Sequence, residues 1–398
     1  MEQKHPETIA VRTQNPKSLY REHSTPVYMT SSFTFEDAEH ARALFNDEVS
    51  GNIYTRFSNP NNNEFIEKLC LLEGAEDGIS TASGMAAMFS SMAALLQAGD
   101  HILACRSVFG STHQLFTKVF PKWGITHTYV DIDKPESWAA HIRTNTRMIF
   151  LETPSNPGLD LIDLEWVGEL AREHDLILNV DNCFATPYLQ NPIKWGADLV
   201  THSATKFIDG QGRAIAGAIV GRKELIKEIR FFARHTGPAL SPFNGWLLSK
   251  SLETLPVRME RHCENAEKLA LYLSTHSEVL NIRYPFLTTH PNYEIARKQM
   301  KLGGGIVTFE VAGGLERGRN FLNSLKMLSL TANLGDTRTT VTHSASTTHS
   351  KLSVEEQEQV GILPGLIRIS TGLENINDII GDIDYALEKS KNMTEAVV

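Results

Sequence analysis

Short apolar runs of strand length, separated by segments with helical periodicity, constrain the fold of this chain most strongly. The runs lie at residues 102–104, 126–130, 148–151, 176–180, 199–201 and 214–220. Amphipathic stretches such as residues 166–174 separate them, and an apolar helix is predicted at residues 85–96. Strands that are apolar on both faces and alternate with helices are typical of a mainly parallel sheet covered by helices on both sides. The sequence therefore predicts an α/β domain.

The regions on either side of these runs have a different character. Residues 1–55 are polar and interrupted by prolines, so we predict an N-terminal extension that lies on another surface, its own or a partner subunit's. The later part predicts a smaller α+β domain, with strands at 305–311 and 365–369 and helices at 246–273 (interrupted near Pro256), 317–325 and 376–389. Since 398 residues exceed what one hydrophobic core usually supports, we divide the chain into residues 1–55, 56–245 and 246–398.

The charge and composition argue against several classes of function. The chain has 38 Lys and Arg against 47 Asp and Glu, a net charge of −9 and no basic run, which argues against nucleic-acid binding. No apolar stretch is long enough to span a bilayer, and the first residues lack the apolar segment of a secretory signal, so we expect no membrane partner. Four widely spaced cysteines without a CxxC pair are typical of reduced thiols. We therefore expect a cytoplasmic enzyme.

Polar side chains follow the central apolar runs at the point where each run ends. Glu152 and Asn156 follow one run, Asp181 follows the next, and Lys206 lies shortly after a third. Ligands of open parallel sheets bind at the carboxyl ends of the strands, so these groups are predicted to share one edge. Any one of them could simply cap a loop or a helix. Four together favour a functional site.

Small residues at the start of the predicted apolar helix indicate an anion site. Ser83, Gly84 and Met85 lead into that helix, whose first N–H groups and dipole favour a phosphate. Ser203 and Thr205 could add hydroxyl donors to the same phosphate. A Ser-Gly pair before a helix is often only an N-cap, so this signal is weak by itself. A phosphate site together with a strand-end aspartate and a nearby lysine indicates pyridoxal 5'-phosphate.

Five longer motifs carry a resemblance to a known family. They are SGMAA (83–87), ETPSNP (152–157), DNCFATPYLQ (181–190), GADLVTHSATKF (196–207) and THSASTTHS (342–350). In this order they resemble the cysteine/methionine-metabolism family of fold-type I pyridoxal-phosphate enzymes, over nearly the whole chain. The resemblance implies a large, mixed but mainly parallel sheet domain, a smaller α+β domain after it, and amino-acid substrates.

The family's functional residues match positions of this sequence. Lys206 resembles the lysine that holds the cofactor covalently and then moves protons on the substrate. Asp181 resembles the partner of the pyridinium nitrogen. Arg368 resembles the residue that grips the substrate α-carboxylate, a task suited to a planar guanidinium. Asn156 resembles the residue beside the cofactor O3' and that carboxylate. Glu152 belongs to the same motif, and we expect it to have a structural role.

The cofactor phosphate is the next group for which the resemblance names residues. Its predicted cup consists of Ser83, Gly84, Met85, Ser203 and Thr205. In the family, Tyr54 and Arg56 reach the phosphate from the neighbouring subunit. The resemblance therefore implies a catalytic dimer, usually paired into a homotetramer.

Phe109 is a departure from many lyases of the family, which carry a tyrosine stacked on the cofactor ring. Phe109 can stack but cannot transfer a proton, and Tyr54 becomes the alternative acid–base candidate. The segments around Phe109, around Asp209 and from Asn333 to Asp336 resemble the O-succinylhomoserine sulfhydrylase branch, and Asn333 is a candidate substrate contact. This branch replaces the acyl group of O-succinyl- or O-acetylhomoserine with sulfide, which gives homocysteine in methionine biosynthesis.

Other activities remain open on the same residues. A cystathionine γ-synthase would use cysteine as the nucleophile, and a methionine or cystathionine γ-lyase would complete an elimination with water. A non-catalytic protein on this scaffold is disfavoured because the lysine, aspartate and arginine positions are all filled. His343 and His349 lack the spacing and the carboxylate of a metal site, so we predict a hydrogen-bonding loop and no metal.

Overall fold

The computed structural model of the chain describes residues 4–347 and 362–395. Its first sheet has seven strands in the order β1-β7-β6-β5-β4-β2-β3. They are Asp77–Thr81 (β1), His101–Cys105 (β2), Thr126–Val130 (β3), Thr146–Glu152 (β4), Ile177–Asp181 (β5), Leu199–His202 (β6) and Gly217–Gly221 (β7). Strand β7 runs antiparallel to both of its neighbours, and the other pairs are parallel. The predicted large, mixed and mainly parallel sheet is confirmed, although the short β1 was not predicted.

The second sheet has five strands in the order β10-β11-β12-β9-β8. They are Val279–Arg283 (β8), Ile306–Val311 (β9), Ser329–Leu330 (β10), Thr340–His343 (β11) and Leu366–Ser370 (β12). Only β10 and β11 are parallel to each other, so this sheet is mainly antiparallel, as expected for the smaller α+β part. The hydrogen-bonding loop predicted between His343 and His349 begins after β11, whose last residue is His343. His349 lies outside the described residues.

Helices cover both sheets. They are Pro6–Arg12 (α1), Ala38–Phe45 (α2), Pro60–Glu73 (α3), Gly84–Ala93 (α4), Gly110–Gln114 (α5), Leu164–Glu173 (α6), Thr186–Leu189 (α7), Lys223–Thr236 (α8), Pro242–Glu253 (α9), Leu255–Leu273 (α10), Tyr293–Gln299 (α11), Gly314–Ser324 (α12) and Ile376–Glu395 (α13). The predicted helix at 246–273 is two helices, and Pro256 lies in the first turn of α10, where its missing N–H costs nothing. The described residues contain no helix that is long and apolar enough to cross a membrane.

Alternate side chains of the central strands enter two different parts of the core. In β4, Met148 and Phe150 pack on the face that α4 covers, together with Met88 of that helix. Ile149 and Leu151 face the opposite side, in the cluster that also contains residues of α3. Because successive side chains of a strand point to opposite faces, a run that is buried on both sides is apolar throughout.

The N-terminal extension lies on helix α3 of its own chain. The Glu64 carboxylate accepts hydrogen bonds from the backbone N–H of Asn15 (2.8 Å) and from the hydroxyl of Thr25. Asn61, one turn earlier, accepts the backbone N–H of Tyr28 at 2.7 Å. Polar side chains of one helix thus supply partners for a segment that has little core of its own. A further contact with a partner subunit stays a prediction.

The division near residue 245 also stays a prediction. That position lies inside α9, which packs against α3 beneath the first sheet, through contacts such as the Lys68 ammonium on the Ser249 carbonyl (3.2 Å). Helix α10 follows without a loop and contacts β8 and β9 of the second sheet. The two sheets are therefore joined by a continuous pair of helices.

Gly245 is a point where the packing of α9 on α3 is tight. A Cβ at Gly245 would lie 2.0 Å from Oδ1 of Asn62, whose amide is held by the Leu240 carbonyl. We expect Gly245→Ala to lower the free energy of unfolding by about 1–3 kcal/mol. Gly381→Ala is the matched control, because that helical glycine of α13 has open space around its Cβ position. It should raise stability by about 0.5–1 kcal/mol. Denaturant unfolding of both variants measures the difference, and equal effects would contradict the tight packing.

Candidate active site

The carboxyl ends of three neighbouring strands bring the candidate residues together. Strand β4 ends at Glu152 and β5 at Asp181, and these two residues are paired in register. Strand β6 is the next strand, and the turn that follows it carries Ser203 and Lys206. The predicted convergence of the strand ends on one edge is therefore present in the structure.

Lys206 lies at the junction of the two sheets. Its ammonium donates a 2.7 Å hydrogen bond to Oδ1 of Asn333, which precedes β11. Burial lowers the pKa of Lys206, and the positive charge of Arg368 lowers it further. A lysine with a lowered pKa gives up its proton more readily, which is what a base at a substrate carbon requires.

Two carboxyl groups are buried side by side at this edge. Burial raises the pKa of Asp181 to about 6, although a hydrogen bond from the Cys183 backbone N–H (3.0 Å) and the charge of His202 oppose the shift. Burial and the negative charge of Asp181 raise the pKa of Glu152 well above its ordinary value. Glu152 accepts a hydrogen bond from the backbone N–H of Phe109 at 2.7 Å. This bond holds the turn at Phe109 against the carboxyl ends of the strands.

Arg368 reaches the same edge from the second sheet. It lies in β12, and its Nη1 donates to Oδ1 of Asn156 at 2.8 Å, a contact between residues 212 positions apart. Burial lowers the pKa of Arg368 to about 10, so the guanidinium stays charged at neutral pH. Its Nε is buried and has no hydrogen-bond partner among the described residues. A charged fork with a free donor can bind a carboxylate.

Most of the residues predicted for the phosphate cup lie close together. Ser83 is the N-cap of α4, and its hydroxyl accepts the Ala86 N–H at 3.1 Å, while Met85 follows in the first turn. A Cβ at Gly84 would lie 2.6 Å from the Ser203 side chain, so glycine lets the helix start approach the turn after β6. The Thr205 hydroxyl, in contrast, bonds with both the N–H and the carbonyl of Ala216. Its predicted contact with a phosphate therefore competes with a backbone pair.

Tyr54 and Arg56 are not brought to this edge in the described chain. The Arg56 guanidinium donates to the Arg234 carbonyl and lies over the rings of Tyr54 and Phe57. Arg56 lines a cavity of about 660 Å³ between the N-terminal segment, α3 and α8. Phe109, by comparison, stays beside the strand ends, and 43% of this residue is exposed.

Sequence reasoning missed a polar network on the other side of these strand ends. The His202 ring bonds the Glu73 carboxylate at 2.7 Å, and the Asn182 amide donates to the same oxygen at 2.9 Å. Gln190 continues the network by donating to the Thr153 carbonyl. These hydrogen bonds thus connect the turns that carry the candidate residues, on the side away from the site. The only signal in the sequence was that a polar residue stands next to each strand-end residue. The periodicity of the strands does not show that these neighbouring residues form a network.

His343 is held by hydrogen bonds at the end of β11. His343 bonds the Ser346 hydroxyl and the Pro364 carbonyl, both at 2.7 Å. Within residues 4–347 and 362–395, no group of three or more His, Cys, Asp and Glu side chains could hold a metal ion.

A half-buried lysine lies beyond the end of β6, a buried aspartate ends β5, and helix α4 starts at a glycine packed against the turn after β6. This arrangement on a mixed seven-stranded sheet is typical of a pyridoxal-phosphate-dependent enzyme of fold type I. The model of the family described as "Cys/Met metabolism PLP-dependent enzyme" matches residues 7–388. The chain belongs to this family, and the resemblance drawn from its motifs is confirmed together with the cofactor.

Relatives with different activities are similar to nearly the whole chain. O-succinylhomoserine sulfhydrylase from Pseudomonas aeruginosa is 44% identical over 381 residues, which are 96% of this chain and 94% of the relative. L-methionine γ-lyase from Fusobacterium nucleatum subsp. polymorphum is 43% identical, over 96% of this chain and 98% of its own. A crystal structure of an O-acetylhomoserine (thiol)-lyase candidate from Campylobacter jejuni has a TM-score of 0.93 at 34% identity. It covers 97% of this chain and 100% of its own, and contains N'-pyridoxyl-lysine-5'-monophosphate.

The residues at the strand ends fit this cofactor by their own geometry. The close approach at Gly84 brings the Ser203 side chain to the N-terminus of α4, whose first N–H groups favour a phosphate. Asp181 offers a buried carboxyl group to a ring nitrogen, and the unpaired Nε of Arg368 offers a donor to an amino-acid carboxylate. The family and these features support γ-elimination or γ-replacement chemistry.

The raised pKa of Asp181 predicts a pH-dependent stability of the apoprotein. The folded state binds the proton more tightly than the unfolded chain, so this stabilisation is complete below the ordinary pKa of 3.8 and is lost as the pH rises through about 6. Asp181→Asn removes the effect. Relative to that variant, the wild-type apoprotein should lose up to about 3 kcal/mol of the free energy of unfolding between about pH 4 and pH 8. Denaturant titrations of both apoproteins measure this, and parallel curves would show that the carboxyl group is not raised.

Proposed function

We propose that the protein replaces the acyl group of O-succinyl- or O-acetyl-L-homoserine with sulfide to give L-homocysteine. The observation that carries this proposal is Phe109, whose backbone is anchored by Glu152 at the strand ends and whose ring has no proton to give. A γ-replacement completed by Lys206 does not require a phenol at this position. The similarity to an O-succinylhomoserine sulfhydrylase at 44% identity supports the same conclusion.

The cofactor, when bound, accepts electron density from the substrate α-carbon. The chain's residues would supply the other steps. Asp181 would hold the proton of the ring nitrogen through its buried carboxylate, and Ser83 and Ser203 would bind the phosphate. Lys206 would take the proton from the substrate Cα and then move one at Cβ, because its lowered pKa leaves Nζ able to act as a base. The acyl group would then leave Cγ as a carboxylate with the electrons of the broken C–O bond, hydrosulfide would form the new C–S bond there, and Lys206 would return protons to Cβ and Cα.

Arg368 would bind and orient the amino-acid substrate. Its Nη1 donates to Asn156 and its Nη2 to the Thr342 hydroxyl (3.4 Å), which fixes the guanidinium so that the free Nε would donate to the substrate carboxylate. Asn333, which accepts from Lys206, would take part in the exchange of that lysine between the cofactor and the substrate. We propose no single residue for the distal carboxylate of a succinyl group, and Arg338 is engaged in a bidentate pair with Asp336.

A methionine γ-lyase is the second candidate. The 43% identity to an L-methionine γ-lyase over 96% of this chain favours it almost as strongly as the first. In that activity, water would complete an elimination that releases a thiol and 2-oxobutyrate. Purified holoenzyme with O-succinylhomoserine or O-acetylhomoserine, each with and without sulfide, separates the two. Rapid homocysteine with little 2-oxobutyrate supports the sulfhydrylase, whereas a thiol and 2-oxobutyrate from methionine would contradict it. Faster reaction with cysteine would indicate a cystathionine γ-synthase.

Lys206→Ala tests the assignment of the base and the cofactor attachment. The variant should lose the visible absorbance of the lysine-linked cofactor, and kcat should fall by about a thousandfold or more, because no other described group would replace the base. Lys194→Ala, which removes an exposed lysine elsewhere on the same domain, should keep both. An unchanged spectrum in Lys206→Ala would mean that another lysine holds the cofactor.

We further propose that Tyr54 and Arg56 act in the site of a neighbouring subunit, within a homodimer that pairs into a tetramer. Their contacts in the described chain are with the N-terminal segment and α8. Exposed apolar side chains near them, including Met29 and Phe45, would be covered by a second copy. The four cysteines are all buried free thiols, which supports a cytoplasmic location.

Co-expression of two inactive variants tests the shared site. Arg56→Ala and Lys206→Ala should each be nearly inactive alone. Hybrid dimers contain one site without either change, so random pairing should restore about a quarter of the wild-type activity. Lys206→Ala with Asp181→Asn is the matched control, because both changes fall in the same half of the site and every hybrid site stays defective. Absence of recovery in the first pair would place Arg56 in the site of its own chain.

A further inference from the structure

Helix α10 carries three polar side chains on a face that is fully enclosed. Arg258, His262 and Asn265 have the spacing i, i+4 and i+7, which places them along one side of the helix. Their exposed fractions are 5%, 0% and 1%. A helix face in the interior is normally apolar, since buried polar groups cost free energy unless they are hydrogen-bonded. We call these three residues the α10 polar face.

Arg258 binds the main chain that directly follows Lys206. Its Nη1 donates to the Phe207 carbonyl at 2.7 Å, and its Nη2 donates to the Ile208 carbonyl at 3.1 Å. Nη2 also reaches the Ser251 carbonyl at 3.0 Å. Burial lowers the pKa of Arg258 only to about 10, so the guanidinium is charged at neutral pH and its hydrogen bonds to these carbonyls are charge-assisted.

The chain after Lys206 approaches Arg258 unusually closely. Gly210 has a φ of +69°, and a Cβ there would lie 2.0 Å from Nη1 of Arg258. A glycine is therefore needed for the turn and for the contact at the same position. The guanidinium is enclosed by the segment that it holds.

The other two residues bind the main chain that follows Arg368. Nδ1 of His262 donates to the Thr371 carbonyl at 2.6 Å, and the Thr371 hydroxyl returns a bond to the His262 carbonyl at 3.1 Å. The Asn265 amide donates to the carbonyls of Gly372 (2.9 Å) and Glu374 (3.0 Å). Burial lowers the pKa of His262 to about 4, so the ring is neutral and Nδ1 carries the hydrogen.

We propose that the α10 polar face is a positioning device that fixes the distance between Lys206 and Arg368. The first turn of α10 binds the carbonyls that follow Lys206, and its later turns bind the carbonyls that follow β12. Lys206 follows a strand of the first sheet, and Arg368 lies in the second sheet. Helix α10 is a rigid element that contacts the main chain after each of these residues. This proposal rests on the roles of Lys206 and Arg368 given above. Arg258, His262 and Asn265 touch neither group directly and are positioning residues.

A purely structural role would have a different consequence from a positioning role. Buried carbonyls need partners in any protein, and their loss lowers stability wherever it occurs. A positioning role also requires that variants at the two ends of the face affect different steps. The Arg258 end should affect the base and the bound chromophore, and the Asn265 end should affect substrate binding.

The test compares Arg258→Met, Arg258→Lys and Asn265→Leu as holoenzymes, with Arg261→Met as control. Arg261 is on the same helix but is half exposed and pairs with Glu264 at the surface. Arg258→Met should lower kcat by about a hundredfold and shift the pH midpoint of the lysine-linked chromophore by about half a unit or more, because Lys206 is displaced. Arg258→Lys should show the same changes to a smaller extent, since an ammonium lacks the planar fork. Asn265→Leu should raise KM for the amino acid about tenfold with a smaller effect on kcat.

Unfolding temperatures measured on the same samples separate the outcomes. Lower stability with unchanged chromophore midpoint, kcat and KM in all three variants would overturn the proposal, as would equal effects in Arg261→Met. Where Arg258→Met does not fold, Arg258→Lys decides between the same outcomes. The chromophore titration needs no acylated substrate, so a wild-type enzyme that acts only on methionine would refute the proposed function while the shift in the Arg258 variants would still support this inference.

Discussion

Burying Asp181, Glu152, Lys206 and Arg368 at one edge costs free energy, because each group loses its hydration and the hydrogen bonds present replace only part of it. The arrangement of the site follows from how each cost is reduced. The carboxyl groups hold protons more tightly and accept backbone N–H groups, whereas Lys206 gives up its proton more readily and bonds Asn333. The Nε of Arg368 has no hydrogen-bond partner among the described residues, so their hydrogen bonds compensate its burial only in part. These shifted groups are those that acid–base chemistry on an amino acid requires.

The site is supported by hydrogen bonds of buried side chains, many of them to the main chain of the turns that carry its residues. Glu73, Asn182 and His202 tie the strand-end turns together from behind, and the α10 polar face holds the chain after Lys206 and after β12. Side chains of helices thus fix turns that have no regular pairing of their own. A site built in this way depends on residues that never contact the substrate, since small displacements of a base or of a carboxylate-binding group affect rate and affinity separately.

The comparisons show the family and its type of chemistry. Sequence identity alone does not distinguish γ-replacement from γ-elimination. Relatives named as sulfhydrylase and as γ-lyase differ from this chain to nearly the same extent. Under the proposed function both activities would use the same lysine, aspartate and arginine positions, so fold and cofactor do not separate them. The proposal for sulfhydrylase activity therefore depends on Phe109, whose ring cannot transfer a proton.

The sequence by itself determined six of the seven strands of the first sheet, because a strand buried on both faces must be apolar throughout, and it determined the polar residues at the ends of the central ones. Lys206, Asp181 and the start of α4 follow from that local pattern together with the motifs. Only the tertiary structure decided that Arg368 meets Asn156 across 212 positions, that the Thr205 hydroxyl bonds Ala216, and that Arg56 lies on α8 of its own chain. It also decided what the polar residues of α10 bind, since a helical spacing shows which side chains share a face but not what packs against that face. Contacts between distant segments depend on how the whole chain packs, and local periodicity does not contain that information.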